Sequence, residues 1–335
     1  MLKYILRRIL LMIPTLIGTT FLLFAIVRFS PGLSSSNQFK GGMMKGGAGQ
    51  RAQVLAEQEQ MGLRDKNGHK ISIPVQYVNW IDQICQGNLG VSKEYSIPVL
   101  QLIKERLPVT LTMNVIELLL VYLIAIPAGM LSAVKRGKMF DFSYSFISLA
   151  LYSLPVIWVG AMALGFLANP QYLPWFPAAG THSTNTSNMT FFQYCGDYLY
   201  HIVLPIICMT YGGFAYLSKQ VRAGMLDALQ QDYVRTARAK GVGGVAVTIR
   251  HVFRNTLLPL ITMSAGLLPG LLGGSVIIEK IFSIKGMGAL MYRATFSYDL
   301  PVLQASALIG GVLTLFSYLV VDISYAIADP RVSYE

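Results

Sequence analysis

Charge, cysteine and catalytic motifs are what this sequence has little of. Only 13% of its 335 residues are charged, about half of the quarter that is usual in soluble domains. Its three cysteines and four scattered histidines show no metal-ligand spacing. It contains no GxxxxGKS/T phosphate loop, and no Ser-His-Asp arrangement can be argued from it. These absences argue against a soluble enzyme, and we expect no catalytic residue, no metal site and no cofactor bound by this chain.

Long hydrophobic runs take the place of charge. Hydrophobic residues make up 53% of the chain. Six stretches with at most one charge are long enough to cross about 30 Å of hydrocarbon at ~1.5 Å per residue. The predicted spans are 9–27, 107–134, 142–168, 202–218, 256–278 and 300–321. We therefore expect an all-α polytopic membrane protein with six transmembrane helices.

The net charge of +11 fits the positive-inside rule better than a nucleic-acid partner. With the N-terminus inside, the second outer loop, 169–201, holds no Lys or Arg. The first outer segment, 28–106, holds ten, but it exceeds the roughly 60 residues over which the rule applies. Both termini are therefore predicted to be cytoplasmic. The apolar run of nineteen residues after Arg8 is too long for a signal peptide, which favours an uncleaved first helix.

Composition divides the chain into three predicted parts. Residues 1–30 form an N-terminal transmembrane helix, 31–106 an extracytoplasmic loop with a small helical subdomain, and 107–335 a core with five transmembrane helices. The subdomain is predicted from the helical spacing of Val75, Val78 and Trp80. Cys85 and Cys195 both fall in outer loops and can form a disulfide in an oxidising compartment. Two free thiols are favoured, because this chain does not need a disulfide to build its core.

A few polar and small residues interrupt the predicted spans. Glu117 lies in the second span, one turn after Asn114 on the same helix face. An ionisable group at that depth suggests a functional site, although lining a wet cavity or bonding across a subunit interface is favoured over contact with substrate. Glu279, at the outer end of the fifth span, is expected to be solvated or paired. The candidate residues of a translocation pathway are Asn114, Glu117, Gly270 and Gly274.

One segment departs from the apolar pattern. DYVRTARAKGVGGVAVTIRHVFRNTLLP, residues 232–259, carries five basic residues and one acidic residue in the largest predicted cytoplasmic loop. Its periodicity predicts two short amphipathic helices separated by glycines. Their predicted apolar faces comprise Tyr233, Val234, Ala237 and Gly241, then Val245, Ile249, Val252, Phe253 and Thr256. The segment either lies on anionic headgroups or presents a patch at Ala237 and Gly241 to a soluble partner.

The motifs DYVRTARAKG and RHVFRNTLLP closely resemble the cytoplasmic-loop signature of ABC importer permeases, in the longer-spaced form of the dipeptide, oligopeptide and nickel permease family. Further matches follow in the family's order: LRRILLMIPTLIGTTFLLFAIVRFSPG, NLGVS, ERLPVTLTM, SLPVIWVG and VIIEKIFSIKGMGALMYRATFSYDLPVLQ. The resemblance covers nearly the whole chain. Within the family, the chain resembles the first, B-type permease subunit. The generic signature opens with Glu-Ala-Ala, where this chain has Arg235, Thr236 and Ala237.

The resemblance implies a type I ABC importer permease in the bacterial cytoplasmic (inner) membrane, with a peptide substrate. It implies four kinds of partner: a second homologous permease, two ABC ATPase subunits that bind ATP and Mg, an extracytoplasmic substrate-binding protein and the lipid bilayer. It also implies that the loop 219–256 couples to the ATPases. The residues expected to couple are Asp232, Tyr233, Arg235, Thr236, Ala237, Arg238, Lys240 and Gly241.

Other functions remain open at the level of sequence. An ion-coupled secondary transporter would favour inverted repeats and midplane carboxylates, and only Glu117 comes close. An intramembrane protease would need a paired nucleophile and base or two aspartates inside the spans, and these are absent. Within the same family, nickel, glutathione or peptide antibiotics are alternative cargoes.

Overall fold

The computed structural model describes residues 2–29, 69, 71–263, 266, 270–271 and 273–328. Within these ranges the secondary structure is helical, apart from one isolated antiparallel bridge between Val91 and Pro98, and loops such as 168–190 connect the helices. Parts of the predicted outer domain, 31–68, and of the predicted fifth span, 264–265, 267–269 and 272, lie outside the described residues. Cys85, Cys195 and Cys208 are free thiols.

The helices before the basic segment are mostly long. They are α1 (Leu2–Phe29), α2 (Ile73–Cys85), α3 (Val99–Val134), α4 (Met139–Ser153), α5 (Val156–Leu167) and α6 (Phe191–Leu229). The helices from the basic segment onward are mostly shorter. They are α7 (Asp232–Ala239), α8 (Gly244–Ala246), a π-helix (Val247–Phe253), α9 (Arg254–Met263), α10 (Val276–Ile281), α11 (Met287–Ser297) and α12 (Leu300–Ala328).

Four of these helices are long and apolar enough to cross a membrane, namely the segments Leu6–Ile26, Val99–Val134, Phe191–Leu229 and Leu300–Ser324. A fifth candidate is the pair α4 and α5, which is bent by 90°. The span predicted for 142–168 is therefore broken into two helices in the structure. Leu154 precedes Pro155 and is extended, with ψ of 125°, because the proline ring disfavours a helical conformation in the residue before it.

Contacts divide the chain into two compact units. The first unit comprises Arg106–Leu290 and Phe316–Glu335, and the second comprises Leu2–Glu105 and Met291–Leu315. The three-part division predicted from composition stays a prediction.

The first unit has two hydrophobic cores, and α6 contributes to both. In one core Leu217, Val221 and Met225 of α6 pack with residues of α3, α7, the π-helix and α9. In the other, Ile202 and Leu204 pack with residues of α3 and α10. Burial along both ends of one helix explains how α6 stays ordered over 39 residues, since tertiary packing supplies most helical stability.

The second unit packs α2 against α1. The rings of Tyr77 and Trp80 lie 5.6 Å from that of Phe24, and the Tyr77 hydroxyl is 2.9 Å from that of Thr20. The predicted helix is present, but its expected apolar face is only partly correct. Val75 and Val78 are exposed, because the aromatic side chains bury the other side of α2.

Candidate functional site

An ion pair in the first unit joins α4 to the part of α6 that precedes the basic segment. The Asp141 carboxylate of α4 accepts hydrogen bonds from Arg222 of α6 at both oxygens, 2.7 Å from Nε and 2.8 Å from Nη2. The Ser132 hydroxyl of α3 and the backbone N–H of Gly137 also donate to it. One carboxylate therefore ties together the ends of three long helices.

The first part of the basic segment, α7, follows α6 after a two-residue turn. Val234 and Ala237 are buried in the core that contains Met225, and the charged residues Asp232, Arg235, Arg238 and Lys240 are exposed. The expectation that Ala237 is part of a presented patch is therefore wrong. Its methyl group anchors α7 to α6, and the surface available to a partner is the charged side, with Tyr233 and Thr236.

Gly241 ends this helix and is exposed. Its φ of +78° lies in the left-handed region, which glycine adopts without the penalty that a β-carbon brings. The N–H of Gly241 donates to Arg238 O, and the N–H of Val242 donates to Ala237 O. These bonds satisfy carbonyls at the end of α7, as expected for a glycine that terminates a helix.

The second part of the segment differs from the predicted amphipathic α-helix. Val247 and Val252, five residues apart, are buried, whereas Val245 and Ile249 are 75% and 56% exposed. The predicted face is thus only partly correct: Val252 and Thr256 are buried as predicted, but Val245 and Ile249 are not. Val247–Phe253 is a π-helix, in which hydrogen bonds run from residue i to i+5, so an α-helical period does not apply to it. Val245 and Ile249 consequently form an exposed apolar pair on the same segment as exposed Arg235 and Arg238.

The four predicted pathway residues line one cavity of about 320 Å³ in the first unit. They are Asn114, Glu117, Gly270 and Gly274. Asn114 lies one turn from Glu117, but its side chain does not hydrogen-bond to Glu117. Its amide nitrogen donates to the carbonyls of Gly270, at 3.1 Å, and Leu271, at 2.8 Å.

Glu279 is a buried polar group that the sequence did not reveal. It is 2% exposed, so of the two states expected from the sequence, solvated or paired, the solvated one is wrong. Its carboxylate accepts hydrogen bonds from the Thr110 hydroxyl at 3.0 Å and the Ala289 N–H at 2.7 Å. The N–H of Met287 donates to the Thr110 hydroxyl. The pair thus caps the start of α11, where helices leave N–H groups without partners.

Comparison with known proteins identifies the family. Residues 125–334 match the family described as binding-protein-dependent transport system inner membrane component. The chain is 36% identical over 335 residues to the oligopeptide transport system permease protein AppB of Bacillus subtilis (strain 168), covering all of both chains. It is 33% identical over 355 residues to the dipeptide transport system permease protein DppB of Escherichia coli (strain K12), again covering all of both.

A solved structure shares the fold. A chain from the inward-facing MetNI methionine ABC transporter superimposes with a TM-score of 0.52 at 16% identity, over 68% of this chain and 97% of that one. At that identity the likeness concerns the fold alone.

Proposed function

This chain belongs to the family of binding-protein-dependent transport system inner membrane components, and from that membership we propose that it is the membrane permease subunit of an ATP-driven importer of peptides. The names of full-length relatives carry the peptide assignment, since they are oligopeptide and dipeptide permeases. The resemblance of its motifs to that family is confirmed. The chain acts in the bacterial inner membrane. It forms part of the translocation path for the peptide, and ATP hydrolysis takes place in separate ATPase subunits.

The observation that supports a coupling role is the two-sided build of the basic segment. Its buried side, Val234 and Ala237, packs on α6, and its charged side is exposed. A partner that binds the exposed side and moves would therefore displace α6 through the contacts of Val234 and Ala237. We assign the surface that contacts the ATPases to residues predicted from the sequence, and Ala237 packs beneath it. The surface residues are Asp232, Tyr233, Arg235, Thr236, Arg238, Lys240 and Gly241.

The proposal requires partners that this chain does not supply. Two ABC ATPases, with ATP and Mg²⁺, would seat on the basic segment from the cytoplasm. A second homologous permease would complete the pathway, and an extracytoplasmic binding protein would deliver the peptide. A six-helix topology with cytoplasmic termini fits this arrangement, because it places the basic segment on the ATPase side.

Copurification tests this assembly. The tagged chain is extracted gently from its native membrane, and its partners are identified by mass spectrometry. We expect a second permease and one or two ATPases. Recovery of the chain alone, with peptide uptake intact in vesicles that lack ATP, would instead indicate a secondary transporter.

The coupling role is tested by replacing Gly241 with tryptophan in the reconstituted importer. A bulky residue at the exposed end of α7 should obstruct the ATPase contact and uncouple ATP hydrolysis from uptake without blocking membrane insertion. Gly87→Trp is the matched control, since Gly87 has nearly the same φ, +77°, and open space around it, but lies in the second unit. Normal uptake by Gly241→Trp in a fully assembled complex would refute the coupling role.

A further inference from the structure

The cavity that contains Glu117 has apolar walls and very few polar groups. Leu118, Val156, Met209 and Leu271 form much of its lining. Its volume of about 320 Å³ is at the lower end of the roughly 300–1,000 Å³ found in small-molecule sites. Among the described lining residues Glu117 is the one titratable group, and no Lys, Arg or His accompanies it.

The orientation of Asn114 determines which hydrogen-bonding groups remain. Both partners of its side chain are backbone carbonyls, those of Gly270 and Leu271, which accept hydrogen bonds and cannot donate them. The NH₂ group of Asn114 must therefore face them, and this choice between amide orientations follows from the network itself. The side-chain groups left to the cavity by Asn114 and Glu117 are then both acceptors.

Among the described residues, Glu117 differs from Asp141 and Glu279 of the first unit in lacking a hydrogen-bonding partner. Across the described residues, its carboxylate makes no hydrogen bond and no ion pair. By contrast, the buried carboxylates of Asp141 and Glu279 each accept several hydrogen bonds. A charged group within a membrane span is costly unless it is paired or solvated. Glu117 is only partly buried, so a donor from water, from another subunit or from the cargo can reach its carboxylate.

We infer that Glu117 holds the ammonium group of a peptide in transit, an inference that rests on the proposed function. An ammonium is compact, positive and carries only donors, which complements the acceptor oxygens of Asn114 and Glu117. The Ser275 hydroxyl, which also lines the cavity, can accept as well as donate. The carboxylate end of the same peptide is repelled by Glu117. The cavity therefore favours peptides that enter with an ammonium toward α3, and it rejects cargo without a cationic group.

The test compares Glu117→Gln with the wild-type chain in the complete importer, reconstituted in proteoliposomes with its ATPases and binding protein. Glutamine keeps the size of the side chain and removes its charge. We expect uptake of trialanine at pH 7 to fall by about tenfold, as for loss of one charge-assisted hydrogen bond. Glu117→Asp retains the charge and most of the uptake. Glu105→Gln, on an exposed turn of the same helix, is the matched control and leaves uptake unchanged.

The pH dependence separates recognition of ammonium from a structural role. The quantity compared is the ratio of wild-type to Glu117→Gln uptake, because effects of pH on the ATPases and the binding protein cancel in it. A peptide α-amino group loses its proton near pH ~8, whereas a lysine side chain does so near pH ~10.4. For trialanine the ratio should fall from about ten at pH 7 toward one at pH 9.5.

Ala-Lys-Ala identifies the source of the ammonium. If its ratio also falls by pH 9.5, Glu117 binds only the peptide amino terminus; if its ratio stays high, Glu117 also accepts a lysine side chain. Either result supports an ammonium site.

Other outcomes overturn the inference. A ratio near one at pH 7 shows that Glu117 does not contact the cargo, and a trialanine ratio that is still about ten at pH 9.5 shows an effect independent of ammonium. If Glu117→Gln fails to copurify with the second permease while Glu117→Asp does so normally, Glu117 is an assembly contact. Absence of peptide uptake by the wild-type importer would refute the proposed function itself, and so is distinguishable from these.

Discussion

Removal of the Asp141 charge is expected to destabilise the first unit more than any surface substitution near it. Asp141→Asn leaves the shape of the side chain intact but turns one of its two acceptor oxygens into a donor. The two oxygens now accept from Arg222, Ser132 and Gly137. In the variant Arg222 keeps its charge and loses the matching one, since a guanidinium is always protonated.

The magnitude follows from the burial of the pair. Loss of one member of a buried ion pair typically costs about 3–5 kcal/mol. The side chain of Asp141 is 7% exposed and that of Arg222 is 28% exposed, so water partly solvates the arginine left behind and the low end, about 3 kcal/mol, applies. For a chain of this length, we expect a midpoint of thermal unfolding lower by about 5 °C.

The assay is thermal unfolding of the detergent-purified complex, followed by intrinsic tryptophan fluorescence. Glu105→Gln is the control, because the hydrogen bond that Glu105 accepts from Gln101, at 3.0 Å, is exposed and surface charges contribute little. The double variant Asp141→Asn, Arg222→Gln removes both charges, so it should be no less stable than Asp141→Asn alone. If the two single losses add in the double variant, or if Asp141→Asn leaves the midpoint unchanged, the buried-pair argument is refuted.

Two further predictions concern local packing. A β-carbon at Gly286 would lie 2.5 Å from the Glu279 carboxylate, so Gly286→Ala should lower the unfolding midpoint or abolish assembly, whereas Gly165→Ala, in open space, should change neither. In the second unit, Ser92→Ala removes a donor from buried Asp299; a loss of about 1.5–3 kcal/mol should appear as faster amide hydrogen exchange around this residue. Unchanged exchange would contradict it.

The long helices were predictable because lipid selects for uninterrupted apolar runs. Predicted spans 9–27, 107–134, 202–218 and 300–321 all lie within helices of the structure. Hydropathy predicted only the part of α6 at 202–218, because the helix continues through polar residues at both ends. Its start at Phe191 had a readable signal, since Thr190 and Gln193 form a capping box. The bend at Pro155 also had a signal, although its size of 90° depends on packing.

The interior of the candidate site was less predictable. The grouping of Asn114, Glu117, Gly270 and Gly274 around one cavity agrees with their selection from the sequence, and their role in translocation stays a prediction. The pair of Asp141 and Arg222 joins residues 81 positions apart, and one sequence contains no local signal for such a contact. Burial of Val247 was missed, and burial of Ile249 was wrongly predicted, because an α-helical period was applied to a π-helix.

The arrangement around α6 offers a route by which the proposed coupling would link the basic segment to the cavity without direct contact between them. Val221 and Met225 of α6 pack in the core that contains Val234 and Ala237 of α7, while Arg222, between them, binds Asp141 of α4. A displacement of α7 therefore acts on α4 and α6 together. Met209, farther along the same continuous α6, lines the cavity with Glu117. Because interfaces of packed helices tend to switch between discrete arrangements rather than deform gradually, we expect a shift at the charged surface to change the shape of the cavity.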